Sequence, residues 1–313
     1  MKTVSMRLIA SVGALVLLGG VAWAAFAPPA KPYDPRPVMA EVEKRVTADK
    51  YTFVVMGDVK GSPDFAQVVA QAQKVNPTFT LLTGDMVKFT SHYSRLERQL
   101  GAFARSIPTW PCYGNHEADK YGGGPGIYKQ FWGMDSAHYV FDFRNARFIA
   151  VEAPGRSIPN DLPWLEERLA EGQKAGKLMF VWQHVPTYTV GKKSRMECPG
   201  KQTAFTALLT KYGAVANFAG HDHTYYRTKR DGVFYFVQAL GGAKPYPLER
   251  AGEAVAGDVF YGPGSKIKTA SGEKAVEKPL MLTAIAVDGN KVTGKTYTAD
   301  GDVVDEFILR EAK

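Results

Sequence analysis

Cysteine is nearly absent from this chain: 313 residues contain two, Cys112 and Cys198. That count excludes a disulfide-built scaffold and a thiolate metal cluster. It leaves room for one bridge. Both cysteines lie near motifs expected to converge, so a Cys112–Cys198 bridge is expected; two unrelated buried thiols are the alternative. A basic run is also missing, although the formal charge is +8. Two of those charges, Lys2 and Arg7, belong to the extreme N-terminus. The remaining excess favours small anionic ligands and argues against nucleic acid as a partner. Internal repeats are absent, and after residue 27 no apolar run is long enough to cross a bilayer.

The first residues carry a targeting pattern. Lys2 and Arg7 precede an apolar run over residues 8–27, and Ala22-Trp23-Ala24 has the small-x-small form of a signal-peptidase site. Residues 1–24 are therefore expected to be a signal peptide, with an uncleaved membrane anchor as the alternative. The chain is expected to be exported, to the periplasm or beyond. Residues 25–48, rich in Pro and charge, resemble a linker. Residues 49–313 remain for the folded domain.

Within that span, short apolar runs end in polar residues, most of them through a glycine. Residues 52–56 end at Gly57-Asp58, 79–82 at Gly84-Asp85, and 109–113 at Gly114-Asn115-His116-Glu117. Residues 178–182 end at Gln183-His184, and 215–219 at Gly220-His221-Asp222-His223. Such runs suit strands covered on both faces. Helical spacing marks 65–74, 161–174 (capped by Asn160, with Pro163 in the first turn) and 203–212. Strands alternating with helices predict an α/β sandwich. Residues 234–240, 280–287, 291–298 and 303–309 read as strands and are expected to form the antiparallel end of a second sheet. Asp288-Gly289-Asn290 and Asp300-Gly301-Asp302 supply turns between them. Residues 243–279 show little periodicity and are expected to be a long surface loop.

Carboxyl ends of strands in open α/β sheets form the ligand crevice. Asp58, Asp85, Asn115, His184, His221 and His223 are expected to meet there. Carboxylate, amide oxygen and neutral imidazole suit Mn, Fe or Zn. Two neighbouring ions need a bridging carboxylate, and Asp85 stands in the middle of the set. The glycines before Asp58, Asp85, Asn115 and His221 are expected to make the tight turns that aim those side chains.

In this order and spacing the motifs resemble the calcineurin-like metallophosphoesterase superfamily, and within it the purple acid phosphatase branch, over about residues 50–310. His184 followed by Pro186, and Gly220 to Arg227 with Tyr225 and Tyr226, carry the likeness further. The resemblance implies a four-layer α/β/β/α sandwich of two mixed β-sheets flanked by helices, with two divalent or trivalent ions (Fe, Mn or Zn) and a small phosphoester substrate. Asp85 would bridge the ions. Asn115, His184 and His221 would complete one position; Asp58 and His223 would serve the other. His116 would contact phosphate and act as general acid. Glu117 would support the ligands from behind, with Asp222 as a further candidate.

Two positions depart from the family's pattern. Lys60 stands where many members have His, and Lys88 where purple acid phosphatases have Tyr. A lysine cation repels a metal. The two lysines point away, or one anchors substrate phosphate, or an ammonium stands in for the weaker metal. Without the tyrosine, bound iron should give no purple colour. His92 and His138 are expected to be structural, Glu152 to lie near the centre at most, and residues 121–126 to form either a lid or a plain loop. A hydrolase is the first reading of function. A phosphate- or metal-binding protein without turnover is the second, and a surface interaction module built on 243–279 the third.

Overall fold

The computed structural model describes residues 32–151, 162–192, 199–269 and 272–312. Residues 1–24, Glu152, Asn160, Asp161 and Cys198 lie outside them, and with them the expected leader and bridge. Cys112 is buried.

In chain order the elements are α1 (Pro35–Arg45), β1 (Lys50–Met56), α2 (Phe65–Val75), β2 (Phe79–Leu82), α3 (His92–Ala104), β3 (Thr109–Pro111), α4 (Asn115–Ala118), α5 (Gly124–Trp132), β4 (Tyr139–Phe143) and β5 (Ala146–Ala150). Next come α6 (Leu162–Lys174), β6 (Leu178–Trp182), α7 (Pro199–Lys211), β7 (Ala216–Ala219), β8 (Tyr225–Arg230) and β9 (Val233–Gln238). The chain closes with β10 (Val259–Tyr261), β11 (Ser265–Thr269), β12 (Gly272–Val276), β13 (Met281–Asp288), β14 (Lys291–Thr298) and β15 (Val303–Arg310).

One sheet runs β15-β14-β13-β1-β2-β3, the other β10-β8-β9-β7-β6-β5-β4. Both are mixed. β1, β2 and β3 are parallel, as are β5, β6, β7 and β9, while hairpin neighbours are antiparallel. The apolar runs are buried on both faces, as their composition requires: Phe53, Phe79, Phe148, Phe180 and Phe218 have no more than trace exposure. Phe53 of the first sheet meets Phe148 and Phe180 of the second, each at 5.2 Å between ring centroids. Edge-to-face pairs of this kind add about 0.5–1.5 kcal/mol beyond their burial. Helices α2 and α3 pack on each other, and α2 covers β13 of the first sheet. Helices α6 and α7 cover the second through Leu165, Leu169, Phe205 and Leu209. Helix, sheet, sheet, helix is the four-layer sandwich. Among the described residues no helix is long and apolar enough to cross a membrane.

A polar seam crosses between the sheets beside the aromatic layer. Tyr225 donates its hydroxyl to Asp305 at 2.7 Å and accepts from Thr296 at 3.0 Å. Arg227 forks onto Asp305 at 2.6 and 3.0 Å. Gln238 accepts from Thr283 at 2.7 Å and donates to the Met281 carbonyl at 2.8 Å. Every tie joins β8 or β9 to β13, β14 or β15, so it fixes where the second sheet stands relative to the first.

Several expectations need correction. The tail does not extend the second sheet: β13, β14 and β15 return to the first sheet, where β13 pairs antiparallel with β1. Of the four expected tail strands only β9 joins the second sheet, parallel to β7. Topology separates strands that follow one another, and alternation cannot report which sheet receives them. The expected linker 25–48 contains α1, capped by Asp34, which accepts the Arg36 N–H at 2.9 Å. Met39 and Val42 of α1 are buried, and the Tyr33 ring packs at a tilt on Phe131, 5.0 Å between centroids. A sparse apolar stripe sufficed there, and the surrounding charge concealed it. The expected loop 243–279 contributes β10 to the second sheet's edge and a β11–β12 hairpin. Those strands are short or lysine-rich, with Ile267 as their one deeply buried anchor. In the expected 121–126 loop, α5 already begins at Gly124.

Removing Asp305 leaves the Arg227 guanidinium, only 12% exposed, without its carboxylate. Asp305→Ala should cost about 3–5 kcal/mol in urea denaturation.

Candidate metal centre

Both sheets deliver side chains to one point. Asp58, Asp85 and Asn115 follow β1, β2 and β3 of the first sheet; His184, His221 and His223 follow β6 and β7 of the second. The six expected residues come together, and they do so on strained backbone. Asp58, Lys60, Asp85 and His221 all have left-handed φ, at 55°, 50°, 52° and 70°. Non-glycine residues in that region cost roughly 1–3 kcal/mol each when held there, and they cluster at functional sites.

The turn residues are thus mostly the candidate ligands themselves; of the four glycines before them, Gly84 alone makes the expected left-handed turn, at φ 89°. The others provide clearance. A Cβ on Gly220 would stand 2.2 Å from Asp58 Oδ2, and one on Gly114 would stand 2.4 Å from Asp85 Oδ1. Clearance lets the loops interlock. The His221 N–H donates to both Asp58 oxygens, at 3.0 and 2.9 Å, and the His116 N–H donates to Asp85 Oδ1 at 2.9 Å.

Ring orientation follows from backbone carbonyls. His184 Nδ1 lies 2.8 Å from the Thr83 carbonyl, and His223 Nδ1 lies 2.6 Å from the Lys244 carbonyl. A carbonyl only accepts, so each Nδ1 carries a proton and each Nε2 faces inward, where it offers a lone pair to a cation once any second proton has left. His184 Nε2 stands 3.2 Å from Asp85 Oδ1 and 3.1 Å from Asn115 Oδ1. His221 Nδ1 stands 2.9 Å from the same Asn115 oxygen and 3.2 Å from His184 Nε2. His223 Nε2 faces Asp58 Oδ1 at 3.4 Å.

The donor atoms form two triads, Asp85–His184–His221 and Asp58–Asp85–His223, each within 4.8 Å. Asp85 belongs to both. Its Oδ2 and the His223 Nε2 are buried and make no hydrogen bond. Converging oxygen and imidazole lone pairs with such orphans fit a borderline-hard cation at each triad.

Burial opposes ionisation of Asp85, but His184, Lys60 and His116 together hold it well below the usual carboxylate range. Burial also opposes charge on His184, yet the Asp85 carboxylate pushes it up to about 9. Glu117 is buried behind the centre and accepts backbone N–H groups from Asp85, Met86, Val87 and Gly114, at 2.6 to 3.1 Å. It ties the loop after β2 to the loop after β3, which is how a residue three positions from Gly114 supports Asp85. Burial, helped by the Asp85 charge, raises Glu117 to about 7 against those four donors.

The centre opens into a cleft of about 590 Å³ lined by Lys60, Lys88, Arg95, His116, His223 and Lys244, and its described lining residues carry no carboxylate. Lys60 does not point away: its Nζ stands 3.2 Å from Asp85 Oδ2. Lys88 is exposed and lies over the Phe89 ring at 5.2 Å. His116 Nε2 is 3.8 Å from Asp85 Oδ2, and burial lowers its pKa.

Three contributors carry no motif and were not singled out, and a fourth, His92, was expected to be structural only. Thr83 and Lys244 act through carbonyls, and Tyr246 stacks on His223 at 4.1 Å. His92 lines the cleft, where it accepts the Lys88 N–H at 3.3 Å and bonds the Lys60 backbone. Asp222, expected behind the ligands, turns elsewhere. It accepts the Lys192 N–H at 3.1 Å and the Thr189 hydroxyl, holding the loop after β6. His138 stacks on Trp164 at 4.6 Å, away from these ligands.

Comparison with known proteins fits this architecture. Residues 51–225 match the family model for calcineurin-like phosphoesterases. Purple acid phosphatase 21 of Arabidopsis thaliana is 26% identical over 195 residues, covering 56% of this chain and 45% of that protein. The chain therefore spans about half the length of that relative. Among solved structures, purple acid phosphatase PPD1 from yellow lupin (Lupinus luteus) seeds superposes with a TM-score of 0.68 at 15% identity, over 84% of this chain and 54% of that one. A dimetal phosphatase from Danio rerio superposes with a TM-score of 0.55 at 13% identity, over 84% of this chain and 99% of that one. At these identities the superpositions establish a shared fold. With more than half of its length matched to the family model, and with the carboxylate, amide and imidazole groups of that span gathered at one point, the chain belongs to the calcineurin-like phosphoesterase family.

Proposed function

We propose that this chain hydrolyses small phosphate esters at a dinuclear metal centre. The observation that carries this reading is the pair of buried donor triads sharing Asp85 at the floor of a cationic cleft. Asn115, His184, His221 and Asp85 would hold one ion, and Asp58, His223 and Asp85 the other. Bound Mn, Zn or Fe would supply an activated water and neutralise phosphoryl oxygens. The protein's own groups do the rest. Lys60, Lys88 and His116 offer donors to phosphate oxygens. Tyr246 and the Lys244 carbonyl keep His223 facing inward. His116, at the mouth, donates a proton to the departing alcohol. The basic start and apolar run of residues 1–24 support export by a signal peptide or anchor, which N-terminal sequencing of the mature protein would test.

Loss of the shared carboxylate removes both positions together. Asp85→Ala should lower hydrolysis of an aryl phosphate by at least about a thousandfold, since a bridging ligand serves every step. Chelation should do the same to the unmodified protein, and added Mn, Zn or Fe should restore turnover. With iron loaded, the protein should remain without a visible charge-transfer band, because Lys88 offers no phenolate.

The pH dependence follows from His116. A general acid works only when protonated, and burial places this imidazole below its ordinary 6.5. The rate should therefore fall as pH rises through a value under 6.5, giving an acid optimum. In His116→Gln that descending limb should disappear and kcat should drop about 10²–10⁴-fold.

A second reading, binding of phosphate or metal without turnover, is favoured by the Lys60 ammonium beside Asp85. Inorganic phosphate bound tightly, with no release from a broad phosphoester panel, would establish it in place of the first.

A further inference from the structure

We infer that Lys60 is a built-in competitor for the second cation position, so that the two ions are held with unequal strength: one tightly, the other only by displacing this ammonium. The inference rests on the dinuclear reading above and adds an order to it.

Three observations place the competitor. Its Nζ lies 3.2 Å from Asp85 Oδ2, the buried oxygen that makes no hydrogen bond, and the side chain is 15% exposed. The Lys60 backbone is anchored where it stands: its N–H donates to the Asp85 carbonyl at 2.9 Å, and its φ is left-handed at 50°. His92 adds a hydrogen bond to the same backbone and accepts the Lys88 N–H, tying the Lys60 loop to the loop after β2. A long side chain starting from so fixed a point, and ending on the shared carboxylate, is positioned rather than stray.

The two positions are also unequal in donors. Asp85 and His184 on one side are joined by Asn115 and His221, whose contacts fall between 2.9 and 3.2 Å. The other side has Asp58, Asp85 and His223, with His223 Nε2 3.4 Å from Asp58 and no further carboxylate, imidazole or thiol in its group among the described residues. Metal–oxygen bonds are about 2.0–2.2 Å, so an ion on Asp85 Oδ2 and an ammonium 3.2 Å from that atom compete for the same carboxylate and repel each other. The weaker donor set therefore carries the stronger opposing charge. An ion entering it sends Lys60 into the cleft it lines, where a phosphate oxygen is the available partner.

The test is a titration of metal-free full chain with Mn(II), read by calorimetry and by electron paramagnetic resonance. Wild type should bind one equivalent tightly, with the spectrum of an isolated ion, and a second at least tenfold more weakly. Lys60→Gln removes the charge and should bring the second equivalent to within about threefold of the first, with the spectrum of a spin-coupled pair at two equivalents. A thermal melt of the metal-free variant matching wild type shows that the fold is retained, and Lys60→Met repeats the test with a different neutral side chain. Two equivalents of equal strength in wild type, or a weak second site unchanged in both variants, overturns the role of Lys60 and leaves the dinuclear centre standing. No tight ion in any form overturns the centre itself.

Discussion

Everything at this site turns on the burial of one carboxylate. Asp85 is fully buried, belongs to both donor triads and keeps one oxygen free of hydrogen bonds. Taking an ionised carboxylate out of water costs several kcal/mol unless positive charge meets it. The fold supplies that charge from three directions: His184 from the second sheet, Lys60 from the loop after β1, and His116 from the loop after β3. In metal-free protein His184 is the principal partner, and its raised pKa carries a sign. Stability from its proton is complete below pH 6.5 and is lost as pH rises through about 9. A cation and that proton compete for the same imidazole, so the centre is arranged to exchange one for the other.

That arrangement needs two sheets held in fixed relation, because neither holds all the donors. The aromatic layer around Phe53 brings the sheets together, and the seam from Tyr225 through Asp305 to Thr296 aligns them. The seam begins two residues after His223. The segment that supplies two imidazoles is thus pinned by the same residues that align the sheets. Four left-handed residues at the centre store strain that this packing offsets. The cleft above is lined by Lys60, Lys88, Arg95 and Lys244 and by no carboxylate among its described residues, which suits an anionic ester: positive charge collects locally in a chain without a basic run.

Much of this was legible from the chain, for physical reasons. Continuous apolar runs such as residues 52–56 and 178–182 belong to strands covered on both faces, so the layered architecture followed. Polar residues where those runs stop mark the crevice, so the six donors could be named together. Other features leave no such trace. Sheet membership of the tail depends on topology, which alternation does not encode. The stripe in α1 is only a few residues wide. Orienting groups such as the Thr83 and Lys244 carbonyls are backbone atoms that any residue would present, and His92 acts by clamping a loop. The glycines were legible as a pattern, but only Gly84 makes the turn expected of it: the others make room, while the ligands bend. The position of Lys60 could be posed as a question from its place in the chain, and distances were needed to answer it.

The most direct measurement of the central claim is an anomalous difference map from crystals grown with zinc. Density should appear bounded by Asp85, Asn115, His184 and His221, with any second peak on the Asp58 and His223 side of the same carboxylate. Zinc found away from Asp85, or none bound to these residues at all, would contradict the claim.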